Sequence, residues 1–233
     1  MIKVKRSNQR GLTKIAWLDS RHTFSFGDYY DASAMGFSVL RVINEDRVVG
    51  GGGFPTHPHR DMEIVTWVLE GALEHRDSVG NGSVIRPGDA QRMSAGRGIR
   101  HSEFNASQQT AVHFLQIWLL PAAVGIDPGY EQRNFPESTR RGRLRLVASA
   151  DGADDSITIH QDARMYDGIF EAGGGATLHQ VPALRRVYLQ VARGNVQVNQ
   201  VSLGAGDGAA IENERSLEFK ADSDSEVVLF ELP

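Results

Sequence analysis

The chain has 233 residues, enough to bury one large core or two smaller ones. Its hydrophobic (40%) and charged (23%) content is ordinary for a globular protein, and a formal net charge of -4 argues against nucleic acid as a partner, because phosphate binding calls for a basic surface. There are no cysteines, which removes disulfides, thiolate metal sites and cysteine nucleophiles together, so any bound metal must rest on histidine and carboxylate.

Met1 to Arg10 is polar and has no apolar run of the secretory kind, so no signal peptide is expected. The aromatics Phe24, Phe26, Tyr29 and Tyr30 follow, with Phe54 and Phe104 further on. Most should be core, and some could wall a pocket for a flat ligand. Strands are predicted at Phe37–Ile43, Ile64–Leu69, Val112–Leu120, Val187–Val191 and Val227–Leu232. Each is short, rich in β-branched and aromatic residues, and bounded by Gly, Asp, Asn or Pro. Gly50 to Gly53 lacks the Lys-Ser/Thr ending of a phosphate loop and reads as a turn or bulge. No stretch keeps a helical apolar period, and the 25 glycines suit many tight turns. The most apolar segment, Ala111 to Val124, is broken by His113, Gln116 and Pro121 and is too short to span a bilayer. An all-β, cytoplasmic monomer without membrane contact is expected. Arg140-Arg141-Gly142-Arg143 and Arg185-Arg186 read as solvated surface.

A weak internal repeat divides the chain. Glu63 to Gly71 resembles Arg186 to Gly194, each a strand running into glycine. Downstream, Pro87-Gly88-Asp89-Ala90 matches Ala205-Gly206-Asp207-Gly208, and each half closes on an apolar strand. Two copies of one barrel are expected, residues 1–130 and 131–233, with Pro121 to Ser138 as the linker.

Chemistry is concentrated in the first half. His57-Pro58-His59 and His101-Ser102-Glu103 are two pairs of potential ligands, each separated by one residue. Residues i and i+2 of a strand point the same way, so facing pairs can bring three imidazoles and a carboxylate around one point. That set suits a divalent transition metal and leaves positions open for substrate or dioxygen. Pro58 pushes His57 toward extended geometry, which supports a strand here. By the repeat, the matching positions of the second half are Gln180, Pro182, Phe219 and Ala221, so one metal per chain is expected. His113, His160 and His179 read as core histidines, and His22 and His75 as structural or exposed.

The motifs Gly51-x5-His57-x-His59-x3-Glu63 and Gly98-x2-His101-x3-Asn105 resemble the two cupin motifs. The glycine after the first motif, Gly71, sits one residue late, and Gly96 stands where cupins usually have proline. The run His22-Thr23-Phe24-Ser25-Phe26-Gly27-Asp28-Tyr29-Tyr30-Asp31, with Ser94-Ala95-Gly96-x-Gly98-Ile99-x-His101-Ser102-Glu103, is similar to the pirin branch of the bicupins, nearest to short bacterial pirin-like quercetin 2,3-dioxygenases. The resemblance spans nearly the whole chain. It implies two tandem cupin barrels of jelly-roll type. It also implies a metal held by His57, His59, His101 and Glu103, with Fe(II) first and Cu, Ni, Mn or Zn as alternatives. Glu63, whose strand parity is read as inward, is an alternative ligand or a group that orients an imidazole from behind. The implied activity is cleavage of flavonols such as quercetin with O2 and release of carbon monoxide, with Glu103 as catalytic proton acceptor and Glu63 as the other candidate. Other readings are a redox-responsive regulatory protein that binds metal without turnover, and a metal-dependent isomerase or sugar-binding cupin.

Overall fold

The computed structural model describes residues 1 to 233. Twenty-two short strands and three 3-10 turns supply all of its regular structure. Four expected strands appear within a few residues of their limits, at Glu63–Glu70, Val112–Leu119, Arg186–Arg193 and Ser225–Leu232. The fifth is displaced: it spans Leu40–Val48 rather than beginning at Phe37. It continues through Asn44, Glu45 and Asp46, which are polar yet buried. Pairing makes that tolerable: Asn44 Oδ1 meets His22 Nδ1 at 2.8 Å, and Glu45 Oε1 meets His113 Nε2 at 2.9 Å.

Two compact units divide the chain, and both are β sandwiches of a larger and a smaller antiparallel sheet. The first holds Gly11–Asn134 and Ile157–Gln161. Its larger sheet has the strand order Gly129–Asn134, Asp89–Ser94, Glu63–Glu70, Val112–Leu119, Leu40–Val48, Leu18–His22, Gly11–Ile15. Its smaller sheet runs Gly53–His59, Ile99–Asn105, Leu73–Asp77, Gly82–Ile85. Alternation along these strands sends Val68, Val112 and Phe114 of the one sheet against Leu73 and Ile85 of the other.

The second unit holds Met1–Arg10, Phe135–Ser156 and Asp162–Pro233. Strands Ile2–Lys5, Gly208–Ile211, Arg186–Arg193, Ser225–Leu232, Arg164–Phe170 and Leu144–Ser149 neighbour one another in that order in its larger sheet. The smaller sheet is Thr177–Gln180, Ser216–Ala221, Asn195–Val198, Val201–Gly204. Both units are cupin barrels.

The repeat is legible in the backbone. Gly71 and Gly194 end equivalent strands at φ 75 and 74, a left-handed conformation that only glycine adopts without strain. The paired Gly-Asp turns are built alike: Asp89 Oδ2 accepts from Arg86 N at 2.9 Å, and Asp207 Oδ2 from Gly204 N at 3.1 Å.

The expected division differs from this arrangement in three places, one being Ile157–Gln161, which belongs to the first unit. Met1–Arg10 belongs to the second unit, because Ile2–Lys5 pairs with Gly208–Ile211. The stretch read as linker contains a true strand, since Gly129–Asn134 pairs with Asp89–Ser94 at the edge of the first unit's sheet. Pro and Gly around it disguised the pattern.

Candidate metal centre

The smaller sheet of the first barrel carries the ligand pairs. Strand Ile99–Asn105 lies between Gly53–His59 and Leu73–Asp77, with His101 opposite His57 on one side and opposite Asp77 on the other. The register then slips, so that Glu103 faces Phe54. This bulge falls at Pro55, which has no N–H to lose from the ladder, and bulges re-aim neighbouring side chains.

The three imidazoles converge. His57, His59 and His101 offer ligand atoms within 4.8 Å of one another, and their ring centroids are 4.4 to 4.8 Å apart. His57 Nδ1 lies 2.7 Å from the carbonyl of Pro55. A carbonyl only accepts, so Nδ1 carries the proton and Nε2 keeps its lone pair for a ligand. His101 is 2% exposed, and its Nε2 is buried with no partner in the protein. A buried nitrogen with no protein partner, beside two further imidazoles, suits a metal ligand. The residues fit the group.

Glu103 lies two residues further along the strand of His101 and lines the same cavity. It is 3% exposed, and both its oxygens are held by Gln116 Nε2, at 3.0 and 2.8 Å. Thr66 sets that orientation by donating to Gln116 Oε1 at 3.0 Å, which turns the amide nitrogen toward the carboxylate. An ionised carboxylate has about four lone-pair directions. Gln116 occupies two, so Glu103 retains capacity for a metal or a proton.

Burial drives His59 down to about 4, helped by the neighbouring charges that His101 and His57 would carry. His101 falls to about 3 for the same first reason, with His57 and His75 adding to it. Both rings are therefore neutral, as ligands must be. In the unfolded chain these rings titrate near 6.5, so between there and about 4 (His59) or about 3 (His101) the unfolded state binds more protons. Metal-free protein should be fully stabilised above pH 6.5 and lose stability on acidification through that window. A thermal midpoint that falls from pH 7 to pH 5, with a shallower fall in His59→Phe, is the expected result. A midpoint that does not fall would contradict these shifts.

Over the imidazoles lies a cavity of about 220 Å³ whose lining includes Phe26, Phe54, Ile64 and Trp118 on its apolar side and His22, Asn44 and Asp46 on its polar side. That is smaller than the ~300–1,000 Å³ of most drug-sized ligand sites, so a larger ligand would extend past the mouth. Trp118 packs edge-on to both His59 (4.9 Å) and Phe26 (5.4 Å). Of the aromatics singled out in the sequence, Phe26 and Phe54 line this cavity, Phe24 is buried, and Tyr30 and Phe104 are exposed.

Glu63 is elsewhere. Ile64 lines the cavity and Thr66 reaches Glu103, so the inward face of that strand is the even-numbered one. Glu63 points the other way, where its Oε2 accepts from His160 N at 3.0 Å and lies 3.2 Å from His160 Nδ1. The inward parity read for Glu63 is corrected: it belongs to the larger sheet, on the face turned from the imidazoles. Its partner His160 is half-exposed rather than core. His113 and His179 are paired with Glu45 and Glu231.

His75, read as structural or exposed, is not exposed. It is fully buried and joins the site, with Nδ1 3.4 Å from His101 Nδ1 and Nε2 3.3 Å from Asp77 Oδ2. Sequence reasoning passed over His75, Asp77, Thr66, Gln116 and Trp118. For the first two a signal existed: His75 and Asp77 form another i,i+2 pair on the strand beside His101 and Glu103.

In the second barrel the matching strands are Thr177–Gln180 and Ser216–Ala221. Leu217 and Phe219 there are fully buried among Phe170, Val181 and Leu189. Phe219 stacks on Phe170 at 5.4 Å. Apolar side chains occupy these positions, and the nearby His179 is bonded to Glu231 at 2.8 Å.

Two cupin barrels, one carrying a histidine and glutamate metal-binding group and the other packed with apolar side chains, define a bicupin metal-binding protein. The pirin family model matches residues 3–119, and the model of the quercetinase C-terminal cupin domain matches residues 146–232. The chain belongs to the pirin family. It is 50% identical over 233 residues to the quercetin 2,3-dioxygenase of Escherichia coli K12, covering 100% of this chain and 99% of that one. It is 41% identical over 230 residues to a pirin-like protein of Caulobacter vibrioides, covering 98% of each. The crystal structure of the bacterial pirin YhhW from Escherichia coli in complex with nickel(II) superposes with a TM-score of 0.94 at 50% identity, covering 100% of this chain and 99% of that chain.

Proposed function

We propose that the protein is a metal-dependent dioxygenase that opens the central ring of flavonols such as quercetin, consuming one O2 and releasing one carbon monoxide. The observation that carries this reading is the convergence of three imidazoles which, with Glu103, line one cavity with aromatic walls. The naming of its 50% identical relative supports the substrate class. His57, His59, His101 and Glu103 would hold one divalent ion, with iron(II) our first choice and nickel(II) supported by the complex of the related pirin. When bound, the ion supplies Lewis acidity and a redox-active centre, and lowers the pKa of a substrate hydroxyl beside it.

The residues of the chain do the rest. Phe26, Phe54 and Trp118 offer flat apolar surface on which a planar ring system can lie, and their bulk keeps water from the reacting carbons. Glu103 stands where it can take the proton of the flavonol 3-hydroxyl. Gln116 and Thr66 keep its carboxylate from turning away. Oxygen then cleaves two carbon–carbon bonds, and the carbon between them leaves as carbon monoxide while both oxygen atoms enter the products.

The test is steady-state oxygen uptake with quercetin, using protein loaded separately with iron(II), nickel(II), manganese(II) and copper(II). Uptake matched by carbon monoxide, one for one, is expected with at least one metal. Absence of both gases' turnover with all four would overturn the reading.

A further inference from the structure

On the strand beside His101 and Glu103, outside the lining of the cavity, His101 Nδ1 meets His75 Nδ1 at 3.4 Å, and His75 Nε2 meets Asp77 Oδ2 at 3.3 Å. The side chains of His75 and Asp77 are both 0% exposed, so no water competes for these atoms. We propose that Asp77 and His75 form a hydrogen-bonded chain that fixes His101 in the one tautomer and orientation that can bind a metal, which makes both of them positioning residues. The inference rests on the reading of His101 as a metal ligand.

Proton counting carries the argument. Asp77 is held as an acceptor from all sides: Oδ1 accepts from Val79 N and Asn81 N, each at 3.0 Å, and Oδ2 from Asn81 Nδ2 at 2.8 Å. Facing such a carboxylate, His75 Nε2 must be the N–H. When His75 is neutral it has one N–H, and its Nδ1 is then left as an acceptor. His101 Nδ1 is then required to donate to it, and the lone pair of His101 is left on Nε2. That Nε2 is the buried nitrogen without a protein partner. The assignment is consistent from end to end, and no other arrangement of neutral rings satisfies every link.

Two further features suggest a built device rather than a packed histidine. The ring of His75 is held at 5.1 Å by Tyr130, from the edge strand Gly129–Asn134, and the Tyr130 hydroxyl donates to Gln132 Oε1 at 2.8 Å. Strand register also places Asp77 opposite His101 and His75 opposite Glu103, so the chain and the ligands share one face of one sheet. Carboxylate–histidine pairs behind a ligand raise its basicity and fix its ring, and their loss typically costs about 10–100-fold in metal affinity. Both contacts here are long for hydrogen bonds, which favours the lower end, about tenfold.

Nickel(II) affinity measured by calorimetry on His75→Leu, His75→Gln and Asp77→Asn is the test, together with the visible spectrum of the cobalt(II)-loaded proteins and the thermal midpoint of each metal-free protein. His75→Leu should bind nickel(II) about tenfold more weakly than wild type, with shifted cobalt(II) bands. His75→Gln, which keeps one acceptor and one donor, should recover part of the loss. Wild-type affinity and an unchanged cobalt(II) spectrum in His75→Leu would overturn the proposal. So would complete loss of nickel(II) in that variant, which would make His75 itself a ligand. Should His75→Leu lack a cooperative thermal transition, Asp77→Asn and His75→Gln decide, and wild-type affinity in both would sink the idea. If wild-type protein bound neither metal, the reading of the site would fall, and this inference with it.

Discussion

His101→Ala protein should come through metal loading and desalting essentially empty, whereas wild type retains one equivalent. His101 is shared by both ligand groups of the first barrel, the one with His57 and His59 and the one with His75 and Glu103. Tight four-ligand sites bind with roughly 10–16 kcal/mol, so one ligand in four carries about 3 kcal/mol, a loss of roughly a hundredfold or more in affinity. His57→Ala and His59→Ala should behave in the same way. His179→Ala is the control: its ring bonds Glu231 at 2.8 Å in the second barrel, so stability should drop while metal content stays at one. Elemental analysis reads all of these. Full occupancy in His101→Ala, or a second stoichiometric metal in wild type, would contradict a single site in the first barrel.

Glu103→Gln, whose amide oxygen can still reach the ion, should bind metal more weakly and, once loaded, lose flavonol turnover by about 10²–10⁴-fold, the range for removal of a general base. The substitution removes a negative charge and a proton acceptor at once. It also turns one of two carboxylate contacts with Gln116 Nε2, now at 3.0 and 2.8 Å, into an amide facing an amide. Measuring metal content and oxygen uptake on the same sample separates these effects. Turnover within a few-fold of wild type, with metal bound, would remove Glu103 from the chemistry.

What could be read in the sequence was what depends on near neighbours. The pairs His57/His59 and His101/Glu103 could be recognised because strand parity is a two-residue property, independent of where the strand lies. Gly71 and Gly194, with the turns at Asp89 and Asp207, exposed the repeat because left-handed turns have strict residue needs. Glu63 was misread for the opposite reason. Which face of its strand turns inward depends on pairing with Val112–Leu119, where Ile64 lies beside Trp118 and Thr66 beside Gln116. Nothing within a few residues of Glu63 reveals that.

His75 and Asp77 were missed although their spacing matched that of the ligands, because their meaning comes from the strand beside them. The strand Gly129–Asn134 was hidden by its flanking Pro and Gly, and its first aromatic, Tyr130, proves to brace His75. Asn44 and Glu45 look like a strand's end until their partners His22 and His113 are known. In each case a long-range contact overrides the local pattern.

One metal is expected in the first barrel, held by His57, His59, His101 and Glu103. A crystal structure of protein loaded with nickel(II), with anomalous scattering recorded at the nickel edge, tests it most directly. A single peak per chain is expected, about 2.0–2.2 Å from three imidazole nitrogens and one Glu103 oxygen. His101 should bind through Nε2 while its Nδ1 still faces His75. A peak on the other side of His101, between His75 and Glu103, or any peak in the second barrel, would contradict it.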